Sequence, residues 1–167
     1  MEKVLREFGF DKNQTQNYEC PPSAPLQECP LGWFRIIDSC IWVSPPDMTL
    51  DAENATLYCK TKLPTARLFE PRTQILNTLV PELVTFLDGS HLNENFWLGM
   101  NDKVNERQFV YTSSGEPVGF TNWLDGQPDG RTSQNCVVFA QREESKKKWR
   151  DDGCHHARRF ICEKFLK

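Results

Sequence analysis

Seven cysteines in a chain of 167 residues constrain its fold more than any other feature of the sequence. They stand at positions 20, 29, 40, 59, 136, 154 and 162. No Cys-x-x-Cys pair occurs, and His155-His156 beside Cys154 does not recur elsewhere, so the spacing disfavours a zinc site. Such a cysteine count suits an oxidising compartment. Six cysteines allow fifteen pairings, and spacing alone selects none of them.

The length fits one domain plus a short extension, large enough for a real hydrophobic core. Net charge is −3, which leaves no basic footprint for nucleic acid. The run Lys146-Lys147-Lys148, with Glu143 and Glu144 beside it, reads as a solvated hairpin tip. No stretch approaches ~20 consecutive apolar residues, so no membrane span is expected. The start, Met1 to Glu7, lacks the apolar segment of a secretory signal. Together with the cysteines and the sequons at Asn13 and Asn54, this reads as a secreted glycoprotein written without its signal, or as an extracellular fragment.

Residues 1–28 differ in composition from the rest. Val4, Leu5 and Phe8 form a short helical stripe limited by Gly9, and Cys20-Pro21-Pro22-Ser23-Ala24-Pro25 is a stiff extended spacer. Cys20, on that arm, is the candidate for an interchain bridge, giving a homodimer or heterodimer; the alternative is a free or capped thiol.

Residues 29–43 read as a hairpin around an Asp38-Ser39 turn, with cysteines at either end facing each other. A helix follows over 49–62, capped by Thr49 or Asp51, with Met48, Ala52, Ala55 and Cys59 on one face and Asn54 opposite. Glu70-Pro71-Arg72 opens a second helix whose apolar stripe is Ile75, Leu76, Leu79, Leu83 and Phe86, kinked or divided at Pro81. Strands are expected at 96–100, 108–111, 136–140, 149–151 and 160–163. Between 112 and 135 lies a long segment without regular pattern, and loops of that length are commonly functional. Trp123 reads as a structural tryptophan at its base.

The ordered cysteines, Trp97-Leu98-Gly99-Met100, Asn122-Trp123, Gln127-Pro128-Asp129 and Trp149-Arg150-Asp151 carry a resemblance. Residues 29–167 resemble the long-form C-type lectin-like domain. The resemblance implies an α+β fold with two helices flanking two small antiparallel sheets and a long irregular binding loop. It also implies three intrachain disulfides, Cys29–Cys40, Cys59–Cys162 and Cys136–Cys154.

In calcium-binding members the loop and the following strand supply oxygens to one ion, and sugar hydroxyls complete its shell. Gln-Pro-Asp resembles the galactose-type version. The carried-over positions are Gln127, Asp129, Gln134, Arg150 and Asp151, and two of them depart from the family. Gln134 lacks the charge of the expected Glu, and Arg150 replaces an Asn with a permanent cation that accepts nothing. Calcium takes six to eight oxygens, preferably with several carboxylates. A unit charge at ~4 Å and an effective dielectric of ~20 contributes about 4 kcal/mol, and a divalent ion beside Arg150 would be repelled by about twice that. No cofactor is therefore expected; if calcium were bound, its ligands would be Gln127, Asp129, Gln134 and Asp151. An auxiliary site matches at Asp102 and Glu106, but its other positions, near Gly130, Gln134 and Asn135, are not acidic, so it too is expected to be empty.

The resulting expectation is a lectin that recognises galactose-type or N-acetylated sugars, on cells or microbes, without calcium. Arg150 pairs with Asp129 or Asp151 in place of the ion, and Gln127, Asp129 and Arg131 bond the sugar. Innate immunity is the expected setting. The alternatives are a calcium-dependent galactose or GalNAc lectin, a domain of this type that binds a protein ligand, and a binder of mineral or ice surfaces. An enzyme is not expected: there is no Gly-x-Ser-x-Gly elbow, no phosphate-cradling loop and no His-Glu-x-x-His, and His91, His155 and His156 have no evident catalytic partners.

Overall fold

The structure is a computed structural model that describes residues 28–88, 94–130, 132–140 and 147–166. Asn13, Cys20, His91, Arg131, Glu143, Glu144, Lys146 and the 4–8 stripe lie outside the described residues.

Among the described residues, eight strands form a single connected sheet: β1 (Phe34–Ile36), β2 (Ser39–Val43), β3 (Arg67–Leu68), β4 (Phe96–Asn101), β5 (Val110–Tyr111), β6 (Cys136–Phe139), β7 (Trp149–Asp152) and β8 (Arg159–Phe165). The order is β1-β2-β8-β4-β6-β7, with β3 beside β8 and β5 beside β4. Two antiparallel halves meet where β4 and β8 pair in parallel, at Phe96–Arg159 and Trp97–Phe160. Val137, Val138 and Phe139 in β6 and Phe96, Trp97 and Leu98 in β4 are all buried, as strands covered on both faces require.

Each face carries its own core and its own helix. Helix α1 (Ala52–Lys62) lays Ala52, Ala55 and Cys59 against Trp97, Val138, Phe160 and Cys162. Asp51 caps it by accepting the Asn54 N–H at 2.8 Å, which leaves Thr49 outside the helix. Asn54 is exposed. Helix α2 (Gln74–Asp88) covers the other face through Leu76, Val80 and Val84, which pack with Leu98, Val137, Phe139 and Trp149.

Three local expectations need correction. The β1–β2 turn is Ile37-Asp38, one residue early, with Ile37 at φ 56° and the Arg35 Nε donating to the Ile37 carbonyl at 3.2 Å. Cys40 sits opposite Arg35, while Cys29 lies ahead of β1 and not on a facing strand. Helix α2 begins at Gln74, after Glu70-Pro71. A residue before proline resists helical backbone angles, and the Glu70 carboxylate is drawn into the core by Arg72 (2.7 Å) and by the N–H and hydroxyl of Ser113 (both 2.9 Å).

The apolar stripe of α2 is also rotated. Ile75, Leu79 and Phe86 are exposed while Leu76, Val80 and Val84 are buried, and the helix runs undivided through Pro81. The cause is Asn77, which is fully buried: it accepts the Trp149 indole N–H at 2.6 Å and donates to the Lys147 carbonyl at 2.9 Å. A polar residue that satisfies a buried tryptophan turns the helix in a way that an apolar count misses.

Disulfides Cys29–Cys40, Cys59–Cys162 and Cys136–Cys154 are present. The bridge across 103 residues contributes up to about 4–5 kcal/mol on the chain-entropy account.

Candidate functional site

Strand β7 builds the site. It pairs with β6 through Cys136–Asp152, Val137–Asp151, Val138–Arg150 and Phe139–Trp149. Cys136 opens β6 and Cys154 follows β7, so their bridge holds the two strands at the end from which the loop departs. The returning loop lies along the other edge of β7: the Trp149 N–H donates to the Asn122 carbonyl (2.9 Å) and the Leu124 N–H to the Trp149 carbonyl (2.8 Å). Trp123 stands edge-on to Trp149 at 5.7 Å and contacts Phe109 at 4.8 Å, so it belongs to the base of the loop.

Asp151 is the anchor of the loop tip. It is buried, and its two carboxylate oxygens accept the backbone N–H groups of Asp129 (3.3 Å) and Gly130 (2.7 Å). Its own N–H donates to Gln127 Oε1 at 3.2 Å. Between these contacts the Gln127–Pro128 peptide is cis. Burial raises the Asp151 pKa above the ordinary carboxylate value, against the lowering pull of the Gly130 and Asp129 N–H groups. Asp129 is exposed, as is Asp125 on the approach to the tip.

Arg150 does not pair with Asp129 or Asp151. Alternation along β7 points it to the opposite side, where its Nη2 reaches Asp152 Oδ2 at 3.2 Å. Asp152, also buried, accepts Arg158 Nε at 2.9 Å and the Gly153 N–H at 2.9 Å, and lies 2.8 Å from His156 Nδ1. Burial raises its pKa, but His156, Arg150 and Arg158 together outweigh that and hold it below the ordinary value. This cluster was not legible in the sequence. Its signal is a carboxylate with arginines two before and six after, which becomes meaningful only once the 153–158 turn is known to fold back.

The residues at the principal ion position fit calcium poorly. The Gln127 oxygen and both Asp151 oxygens already accept backbone N–H groups, Gln134 brings no charge, and Arg150 faces away. Among the described residues no group of three or more His, Cys, Asp or Glu side chains is set to hold a metal. The auxiliary position differs. Asp102 Oδ2 accepts the Arg107 N–H at 2.8 Å, but Asp102 Oδ1 and Asn135 Oδ1 are both buried without a hydrogen-bond partner, and the Asp102 N–H donates to the Asn135 carbonyl. Orphaned buried oxygens call for a water or an ion. With Asn in place of an acid, that position is short of charge for calcium.

A disulfide-braced α+β frame thus pins an irregular loop to a strand edge. The lectin C-type domain model matches residues 49–164, and the chain belongs to that family. It is 30% identical over 136 residues to the lectin BRA-3 of Megabalanus rosa, covering 80% of this chain and 77% of that protein. It is 44% identical over 69 residues to C-type lectin domain family 3 member A of Bos taurus. That match covers 41% of this chain and spans about a third (34%) of the relative. The carbohydrate-recognition domain of the mouse scavenger receptor C-type lectin shares the fold at a TM-score of 0.70 and 24% identity, covering 84% of this chain and 100% of that domain.

Proposed function

We propose that this protein binds carbohydrate, of galactose or N-acetylated type, through the Gln127-Pro128-Asp129 loop and without a calcium ion. The observation that carries the reading is the set of hydrogen bonds from the loop tip to Asp151 and from the Asp151 N–H to Gln127, which ties the tip to β7 and engages oxygens that an ion would need. A tip ordered before binding loses less entropy when it meets a ligand. The exposed Asp129 carboxylate then accepts from sugar hydroxyls. The family and the printed name of the relative that covers most of the chain support the lectin class.

The test is a glycan array with and without EDTA, on the wild type and Asp129→Ala. Binding that survives chelation and is lost in the variant is the expected result. Binding abolished by EDTA favours the calcium-dependent alternative. Absence of binding under both conditions favours a protein ligand.

Three disulfides suit an extracellular setting. We also propose a covalent dimer through Cys20, because linking two weak sites raises avidity without new contacts. A dimer band on non-reducing gels that vanishes in Cys20→Ser is expected.

A further inference from the structure

Helix α2 turns an apolar stripe to solvent. Ile75, Leu79 and Phe86 are 59%, 41% and 81% exposed. At 3.6 residues per turn they fall within about 40° of one another and run about 16 Å along the axis. Single exposed apolar residues are ordinary, but three aligned on one helix form a patch of the kind that marks an interaction site.

Charge bears on what covers the patch. Glu82 is the one charged residue of α2 ahead of Asp88, and its carboxylate lies 2.7 Å from Lys147 Nζ. Gln74 and Thr78, on the flank of the stripe, are neutral and hydrogen-bonded to each other at 3.2 Å. The face thus holds an acid and a base in balance, so a second copy of it meets no like-charge repulsion. Helix α1 differs: its exposed Leu57 stands among Glu53, Lys60 and Lys62.

The chain ahead of the described residues points to the same partner. Those residues begin at 28, and Cys29 leads into β1, which packs beside α2. Ile36 of β1 joins the core that α2 covers, and Phe34, on the same side of the strand, is exposed. Cys20 stands eight residues ahead of Glu28, a reach of about 28 Å when extended. A bridge between two such arms tethers the second copy next to the strand that borders α2, at an effective concentration on the order of millimolar. At that concentration a small contact suffices.

We propose that the exposed stripe of α2 is a contact between two copies of this chain. The helices pack antiparallel about a two-fold axis, with Ile75 of one copy opposite Phe86 of the other and Leu79 near the axis. The inference deepens the Cys20 reading by naming the surfaces that the bridge brings together, and it is independent of the carbohydrate reading.

Sedimentation of the full chain carrying Cys20→Ser, from about 1 µM to about 500 µM, reads the contact without the bridge. A reversible dimer is expected, weakened at least about tenfold by Leu79→Glu and unchanged by Leu57→Glu on the other face of the sheet. Ile75→Glu, at a more exposed position, serves if Leu79→Glu folds poorly. In the bridged wild type, hydroxyl-radical labelling of Leu79 and Phe86 is expected to fall below that of dilute Cys20→Ser. Self-association indifferent to both α2 substitutions, or none at all with no protection of the stripe in the wild type, overturns the contact. Non-reducing gels judge the bridge separately. A bridge without protection of the stripe leaves the covalent reading standing and overturns this one. Stripe-dependent association without a bridge supports this one and overturns the other.

Discussion

Asp151 and Asp152 are consecutive residues of β7 whose carboxylates serve opposite sides of the strand. The first takes backbone N–H groups from Asp129 and Gly130 in the loop, and the second collects Arg150, Arg158, His156 and the Gly153 N–H. Strand alternation alone separates them. Their pKa values move apart accordingly. Asp151 is raised by burial, whereas the cationic partners of Asp152 overcome its burial and lower it.

Replacing either residue by Asn should separate the two roles. Asp152→Asn leaves two guanidiniums around a neutral amide that also brings a donor, and should cost about 2 kcal/mol, discounted because both arginines are partly exposed. Asp151→Asn keeps an acceptor for the short Gly130 bond and should cost about 1 kcal/mol. Chemical denaturation at pH 7 measures both, and a larger loss for Asp151→Asn would contradict the assignment.

The stability profile between pH 5 and pH 8 should be shaped by Glu163. Its carboxyl is buried at the β8 end of the core, and burial raises its pKa from 4.5 to about 7 against the lowering pull of Arg67. A folded-state pKa above the unfolded one means that the folded chain holds the proton more tightly. The contribution of Glu163 is therefore fully present below about pH 4.5 and is lost as pH rises through about 7. Stability should fall by on the order of 2 kcal/mol between pH 5 and pH 8, and Glu163→Gln should flatten that slope. Denaturant midpoints across the range decide it; a wild-type profile that rises with pH over this interval would refute the claim.

Much of the frame was legible because its signals are local. The β-branched and aromatic runs at 96–100 and 136–139 became strands, and Ala52, Ala55 and Cys59 fell on one helical face as spaced. The disulfide pairing came from family resemblance, since pairing depends on distances that spacing does not fix. The misreadings concern polar residues that act at long range. Asn77 in α2 and Trp149 are 72 positions apart, and their bond decides which face of α2 is buried. Glu70 reaches Ser113 across 43 positions and helps to keep the helix from starting where its proline suggested. In the site, Arg150 was assigned to the nearest acids along the loop, but the pleat and the turn at 153–158 give it Asp152. Gln127 was expected to bond the sugar, yet its Oε1 accepts the Asp151 N–H, so exchanging it is not neutral for the loop.

The Asn77 contact yields its own expectation. Asn77→Leu places an apolar side chain where an indole N–H and the Lys147 carbonyl had a partner, so the buried indole loses its acceptor and the carbonyl loses one of its two donors. The penalty should be about 2–3 kcal/mol, with a shift in the tryptophan emission as Trp149 loses its partner. The Lys147 carbonyl is less exposed to the loss, because the Asn122 amide also donates to it. Thermal melts and fluorescence together check this; an unchanged midpoint would mean that the bond does not hold the register of α2.

The most direct probe of the loop is Gly130→Ala. A Cβ at this position would lie 2.3 Å from Gln134 Cβ and 2.7 Å from both Asp151 Oδ2 and Gln134 Oε1, well inside van der Waals contact. The crowding falls on the Asp151 oxygen that accepts the Gly130 N–H, so the methyl group must push the tip off its anchor or displace Gln134. Overpacking of this kind costs about 1–3 kcal/mol, and here the strain falls at the tip, whose residues 124–130 belong to neither core. The expected outcome is a loss of sugar binding out of proportion to the loss of stability, with the helices and sheet intact by circular dichroism. A variant that melts a few degrees lower yet binds glycan as tightly as the wild type would show that recognition does not pass through the tip held by Asp151.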